Sequence, residues 1–581
     1  MTRFREHAKE YLDAESMADD YLKDFYGDDS IPFPISPFQM LKQEGIPYFL
    51  RNFKKLEGIY IPAANEADSP TVAINAKRPI TRQRFTAAHE LCHHFRDADQ
   101  QIACPIGSKN AVEKFADAFA SALLMPLGYL REKVREVQDE NGNVSFADVL
   151  QIAEFFGVSF EACLYRIAYK LHAIEGDTSP DALKKRINKF HPEKARKSMG
   201  MSRVELYADL IDDYAQQLHF QPDNHARYLF EHNYIYTDSR MEGTEVTLEQ
   251  AAEIVSDLRM KEKNSEFCTE EHEPYMSIAG HYKMYQSIFA VPVKDTLSVY
   301  DSFFLNRDLF SYYPYSGYGG STRQTNTLVE GAKFETADYN DIYSELTKVD
   351  SEIKEYFGKK EQITVSEYVK HVARTHHRLT AIHPFPDGNG RTSRAFMNVQ
   401  LVRAGLCPVY IKVEQKKEYI QALAAADKEQ NYDDLYEILF KIILQVHADI
   451  HSEAQSVTNC IFDHMGCPDR VPVISGDRDI FGKTFINTVL TDGGSIMMQQ
   501  IKQLTAALAV VMMFRRYNGQ IGTFSQGIGD RFSGADAVSG CSYGFGQDNA
   551  MPFGHITAYN SRNLPEICFT AVTEQFDGCP A

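Results

Sequence analysis

The segment His383-Pro-Phe-Pro-Asp-Gly-Asn-Gly-Arg-Thr-Ser-Arg394 gathers a histidine, a carboxylate, a glycine-rich turn and two arginines, a set suited to phosphate chemistry. Gly388, Asn389 and Gly390 let the backbone take positive φ, so that successive N–H groups can line one concavity at the start of a following helix, where anions settle. Arg391 and Arg394 are three apart on that helix's first turn and can reach the same polyphosphate. Asp387 offers one hard oxygen, which suits a magnesium ion that takes most of its other ligands from phosphates and water. His383 precedes the loop and is placed as general base for a hydroxyl attacking phosphorus. Asp-Gly and Asn-Gly are most often plain hairpin turns, but the flanks here keep helical spacing. Val365, Val369, Val372, His376, Leu379 and Ile382 do so before the loop, and Phe396, Val399, Leu401 and Val402 after it. We expect a helix, a loop and a second helix, with His376 a buried, hydrogen-bonded histidine rather than a second base.

A different chemistry is written into Arg84-Phe-Thr-Ala-Ala-His-Glu-Leu-Cys-His-His-Phe95. Phe85, Ala88, Cys92 and Phe95 form a helical apolar stripe, with Cys92 plain core, while His89 and His93 sit one turn apart and can grip one zinc ion. Glu90 is placed to take a proton from a water that the zinc activates. Downstream, Val112 to Pro126 is a second helical pattern that puts Glu113 and Asp117 on one face. Glu113 is the expected third ligand, and Asp117 the acceptor that orients a ligand histidine.

The elements that must carry these residues need more than one core in a chain of 581 residues, and three or four units are expected. A formal net charge of -19 disfavours direct nucleic-acid binding and favours protein partners. The charged start shows no apolar leader, and the longest apolar run, Leu504 to Phe514, is too short to span a bilayer, so no membrane and a cytoplasmic location are expected. Ten cysteines without regular spacing read as reduced thiols. Phe4, Ala8, Tyr11, Leu12, Ala18, Tyr21, Leu22 and Phe25 predict one amphipathic helix over residues 4–25. Ile59-Tyr-Ile61 and Thr71-Val-Ala-Ile74 predict strands of a small sheet. Helical spacing returns from Phe146 to Leu171. Residues 173–204 read as a linker with one short helix, its basic cluster at Lys184 to Arg186 and Lys194 to Lys197 a solvated face. Helices dominate from Val204 to about residue 452, interrupted at Tyr312 to Phe334. Residues 453–581, rich in glycine, receive no assignment.

The loop fills every defined position of His-x-Phe-x-Asp/Glu-Gly-Asn-Gly-Arg-x-x-Arg and so resembles the Fic family of nucleotidyltransferases. The resemblance implies a mainly α-helical Fic domain over 205–452 that moves AMP from ATP to a Ser, Thr or Tyr hydroxyl of a target protein. It assigns His383 as base, Asp387 as magnesium ligand, and Gly388, Asn389, Gly390, Arg391 and Arg394 as nucleotide contacts. It also implies a β-hairpin flap within Gly319 to Phe334, where a target would add as a strand. The stretch Asp238-Ser-Arg-Met-Glu-Gly243 resembles the family's inhibitory motif, with Asp238 in the place of a helix-capping Ser or Thr. By that likeness Glu242 pairs with Arg394 and holds ATP unproductively.

Residues 1–172, through Arg-Phe-Thr-x-Ala-His-Glu-Leu-x-His and Glu-x-x-Ala-Asp-x-Phe-Ala-x-x-Leu-Leu-Met-Pro, resemble the ImmA/IrrE family of zinc metallopeptidases. That likeness implies an α+β zincin-like domain acting on a regulatory protein, a repressor or antitoxin, and a toxin-antitoxin setting. Cys92 stands where that family usually has glycine. The phosphate loop says little about the base, so transfer of another nucleotide or of phosphate is an alternative. So is a regulatory binding module whose peptidase half is inactive.

Overall fold

The computed structural model describes residues 4–452 except 5–6, 28–29, 64–67, 99–101, 106–109, 221–223, 270–272, 291–295, 314–318, 329–334 and 430, and also residues 553–558 and 567–572. The chain divides into two units, residues 1–485 and 486–581. In the second, strands Phe553–Ala558 and Ile567–Val572 pair antiparallel. Leu504 to Phe514 lies outside the described residues. No helix among the described residues is long and apolar enough to cross a membrane.

The first unit begins with a four-stranded sheet in the order β1-β3-β2-β4, formed by β1 (Tyr48–Arg51), β2 (Leu56–Ile61), β3 (Thr71–Asn75) and β4 (Ile102–Pro105). β1 runs parallel to β3, and the other pairs are antiparallel, with a register irregularity between Leu56 and Gly58 where β2 meets β4. Helices Ile80–Arg96 and Ala111–Leu124 pack on one another and carry the predicted zinc residues. Arg84, buried in the first of these, donates from Nε to Gly157 O (3.0 Å) and from Nη2 to Ile35 O, which ties the helix to two loops. A buried guanidinium that satisfies backbone carbonyls in this way fixes the helix more tightly than apolar packing alone.

The helix expected over residues 4–25 is shorter than predicted. It spans Ala14–Tyr26 because Asp13 accepts the Ser16 backbone N–H at 2.9 Å, a helix start that the apolar spacing concealed, and Leu12 is 98% exposed. Residues 173–204 also differ from expectation. They form two helices, Pro180–Phe190 and Pro192–Ser198; Lys194 and Lys197 of the second are solvated as expected, and Arg196 is not. Arg196 is buried and paired with Glu437 (3.2 Å), while Arg203 joins Glu154 (2.6 Å) to Glu193 (3.0 Å). Charge there serves to bind the two halves of the unit, a role that composition cannot distinguish from solvation.

Helix Val204–Asp213, the Tyr214 that follows it and helix Asp433–Ser452 then meet the free edge of β1. Tyr214 accepts the Leu50 N–H through its hydroxyl (3.1 Å), Tyr48 donates to Asp213, and Asn52 to Asp449. An exposed strand edge is thus covered by side chains from the helical half. That half packs helices Asn224–Met241, Glu273–Ala290, Asp301–Leu309, Ile342–Gly358, Val365–Ile382 and Asn389–Arg403 around buried residues such as Phe230, Leu305, Val372, Phe396 and Phe440. Of the expected flap, residues 319–328 form turns and bends with no strand, and residues 329–334 lie outside the described residues.

Candidate functional site

His89 and His93 present their Nε2 atoms 3.0 Å apart from the Ile80–Arg96 helix. Asn110 caps the next helix by accepting the Glu113 backbone N–H at 2.8 Å, which places Glu113 in its first turn. Glu113 Oε2 then lies 3.4 Å from His89 Nε2, and Oε1 lies 3.5 Å from His93 Nε2. Asp117 faces His89 Nδ1 at 2.9 Å, as expected, and Asp97 faces His93 Nδ1 at 3.0 Å, which was not foreseen although it lies one turn beyond His93. Each ring has Nδ1 engaged and Nε2 turned inward, the orientation that metal ligation uses.

A fourth donor was missed. Cys104 on β4 places Sγ 3.9 Å from Glu113 Oε1, and His89, His93, Cys104 and Glu113 each offer an atom within 4.8 Å of the others. A tetrahedron with bonds of about 2.0–2.3 Å has edges of about 3.3–3.8 Å. The observed separations of 3.0, 3.4, 3.5 and 3.9 Å bracket that size. This donor set therefore fits zinc.

The charges agree. Burial alone would lower the His89 pKa, but Asp117 and Glu113 raise it to about 9, and His93 is raised in the same way. Burial would raise Glu113, yet the two histidines bring it down to about 2. The centre is built to hold positive charge. Glu90 is fully buried, which raises its carboxyl against the pull of His89 and His93, and neither of its oxygens has a hydrogen-bond partner among the described residues. A Cβ at Gly58 of β2 would lie 2.4 Å from Glu90 Oε1, so the strand must carry glycine there to admit this carboxylate.

The second cluster lies where helix Val365–Ile382 ends and helix Asn389–Arg403 begins, both as predicted. His383 has φ 53° and Gly388 φ 75°, so both ends of the loop turn through the left-handed region. Asn389 accepts the Phe385 N–H (2.8 Å) and donates to Phe385 O (2.7 Å), which closes the loop on itself. Its side chain thus shapes the concavity. Asn306 donates to Asp387 O (3.1 Å) and Thr392 Oγ1 (3.0 Å) and accepts from Gly320 N (2.9 Å), a support that the sequence did not reveal.

Arg323 is another unforeseen support. Its N–H donates to Pro384 O (2.9 Å) and its Nε to His383 O (2.8 Å), so the stretch expected as a flap grips the loop's backbone instead. Burial, assisted by Arg323, lowers the His383 pKa against a backbone hydrogen bond at Thr380 and the charge of Asp387, and Nδ1 is itself buried. The ring is a neutral acceptor at neutral pH. Asp387, 54% exposed, accepts from Gly388 N (2.6 Å) and Arg391 Nη2 (3.3 Å) and leaves its carboxylate accessible to a magnesium ion. His376, expected as buried structure, bonds Tyr419 Oη (2.7 Å) and Ser393 O (3.2 Å).

Arg394 does not stand open. Its Nη2 pairs with Glu242 Oε1 at 2.6 Å, and its Nε pairs with Asp238. Glu242 also faces Arg391 Nε at 3.9 Å. The expectation that Asp238 caps the start of a helix is corrected: helix Asn224–Met241 begins far upstream, and Asp238 is a buried carboxylate in its last turn, held by Arg394 and by His281 Nε2 at 2.8 Å. Burial would raise the pKa of either acid, but Arg394 and its neighbours hold both low. Glu242 follows at the helix end, where Gly243 turns the chain with φ 88°.

Residues 296–401 match the Fic/DOC family, and residues 42–168 match the IrrE N-terminal-like domain family. Among similar proteins, "Protein adenylyltransferase Fic" of Aedes aegypti is 48% identical over 60 residues, 10% of this chain and 12% of that protein. The protein of the same name in Drosophila mojavensis is 43% identical over 74 residues, 13% of this chain and 15% of that one. The chain thus spans less than a sixth of the length of these relatives. Among solved structures, residues 134–508 of Caenorhabditis elegans Fic-1 align at 19% identity, with a TM-score of 0.34, over 54% of this chain and 88% of that one. A Fic domain containing signaling protein of Bacteroides thetaiotaomicron aligns at 18% identity, with a TM-score of 0.34, over 44% and 97%.

Proposed function

We propose that this chain, which joins an IrrE-like N-terminal domain to a Fic domain, transfers AMP from ATP to a hydroxyl of a target protein. The observation that carries this reading is the loop itself: a helix start entered through Gly388 in the left-handed region, Arg391 and Arg394 in its first turns, and at its rim the half-buried His383, whose pKa burial lowers. His383 takes the proton of the attacking hydroxyl as its oxygen bonds to the α-phosphorus and pyrophosphate leaves. Gly388 and Gly390 let the backbone approach the phosphates, Arg391 and Arg394 hold them, and Asp387 would hold a magnesium ion that neutralises them.

Glu242 occupies the Arg394 edge that a terminal phosphate would need, so the resting protein is restrained. Exposed ion pairs are worth only ~0 to 1 kcal/mol. Here Arg394 is buried and already oriented by Asp238, which gives the contact its weight. Intact-mass analysis after incubation with Mg²⁺ and each nucleoside triphosphate tests the reading. An AMP adduct that forms with ATP, and forms faster in Glu242→Gly, is the expected result. An adduct of phosphate or of another nucleotide would overturn the donor assignment, and equal rates in parent and variant would overturn the restraint.

A second activity is favoured by Glu90, buried beside the histidine cluster with both oxygens unbonded. Zinc held by His89, His93 and Glu113 would supply Lewis acidity toward a peptide carbonyl and a water. Glu90 would accept and return the proton, which makes this half a zinc-dependent peptidase.

A further inference from the structure

We propose that Cys104 is a fourth protein ligand of the zinc centre, so that the N-terminal site at rest is closed. The proposal rests on the reading of His89, His93 and Glu113 as zinc ligands. Catalytic zinc sites keep three protein ligands and an open position, whereas four-ligand sites are structural. Here the fourth corner is occupied by a thiol from the sheet edge.

Three observations converge on it. Cys104 is buried, and its sulfur lies within the same 4.8 Å cluster as the three other donors. Its strand is held in register opposite Gly58, the residue whose missing side chain admits Glu90, so thiol and carboxylate come to the centre across one strand pair. The Cys104 thiol points at Glu113 Oε1 (3.9 Å), which is itself a ligand, and the buried Glu90 carboxylate interacts with the same thiol, so Glu90 is the base to take the thiol proton when the sulfur binds the metal. The S–H bond breaks, the metal–sulfur bond forms, and the proton moves to carboxylate oxygen. The ligand set His, His, Glu and Cys then carries two negative charges and neutralises a dication.

β4 is an edge strand, paired on one side to β2 through an irregular register. Such a strand can shift without unzipping the sheet. Withdrawal of Cys104 with its strand would open the fourth position and leave Glu90 as base, so peptidase activity would depend on moving or modifying this thiol.

Cobalt(II) titration of the metal-stripped full chain is the test, because a thiolate ligand gives a near-ultraviolet charge-transfer band that nitrogen and oxygen ligands do not. We expect the band in the parent, its loss in Cys104→Ser, and its retention in Cys92→Ala. Cys104→Ser should still bind the metal, with affinity reduced at least the ~10- to 100-fold that loss of an outer partner costs. X-ray absorption on the zinc-loaded parent needs no variant and should show one sulfur at about 2.3 Å beside nitrogen and oxygen at about 2.0 Å. Metal bound without the band or the sulfur shell, or a band unchanged in Cys104→Ser, overturns the fourth ligand while the three-ligand reading stands. No metal uptake by the parent overturns both.

Discussion

The two clusters of this molecule hold buried charge in opposite ways. Around His89, His93, Glu113 and Glu90 the two histidines both face Glu113, and the Glu90 carboxylate makes no hydrogen bond of normal length among the described residues. Around Arg394 the cation is answered twice, by Asp238 and by Glu242. Charge buried without compensation is costly, so the first arrangement suits a cation that would complete it, whereas the second is complete in itself among the described residues. One site is suited to an added cation; the other has its cation already answered.

The largest expected effect separates machinery from restraint in the second site. His383→Ala removes the imidazole at the loop's rim and should lower AMP transfer about 100- to 10,000-fold, while ATP binding, read by equilibrium titration, stays close to the parent's. Transfer at the parent's rate in that variant would take the base role from His383. Glu242→Gly, by contrast, should leave the machinery untouched and only open the arginine.

A smaller effect distinguishes the two acids on Arg394. Asp238 binds Nε and leaves the outer edge of the guanidinium to Glu242, so the first acts as a positioning residue and the second as a block. Asp238→Asn in the Glu242→Gly background should lose up to about 100-fold of the released activity through misplacement of Arg394. Because a misplaced arginine grips a terminal phosphate poorly, the KM for ATP should rise more than kcat falls. If the double variant matches Glu242→Gly in both constants, Asp238 is only a buried counter-charge.

What the sequence revealed and what it hid follow the same physical division. The helices around His383, the zinc pair, Glu113 and the Glu242 contact were legible because each depends on local spacing or on a short motif whose parts are near in sequence. Cys104, Asn306 and Arg323 were not, because their roles come from tertiary contacts such as the 81-residue separation between Asn306 and Asp387. Asp238 was misread for a related reason. A carboxylate near a helix motif suggests a cap, and only the upstream course of its helix, with His281 from another helix, shows it to be a buried clamp. The same holds for Arg196, whose place in a basic cluster suggests solvent and whose partner is Glu437.

The smallest expected effect is a displacement along the pH axis rather than a loss of rate. His383 must be unprotonated to accept a proton, so transfer should rise with pH as the ring loses its own and stay level above that point. Burial lowers the ring's pKa below the ordinary 6.5 against a backbone hydrogen bond at Thr380, and the Arg323 charge lowers it further, with Asp387 also opposing. The acid limb of kcat/KM, which reports the free enzyme, should therefore have its midpoint below 6.5 in Glu242→Gly protein. Arg323→Gln keeps the ring buried but removes the neighbouring cation, so the midpoint should move up toward 6.5 without reaching it. This shift is independent of any change in height that comes from a looser loop, because height and midpoint are separate readings of one profile. A midpoint that moves down, or a limb at or above 6.5 in the Glu242→Gly protein itself, would show that a group other than His383 accepts the proton.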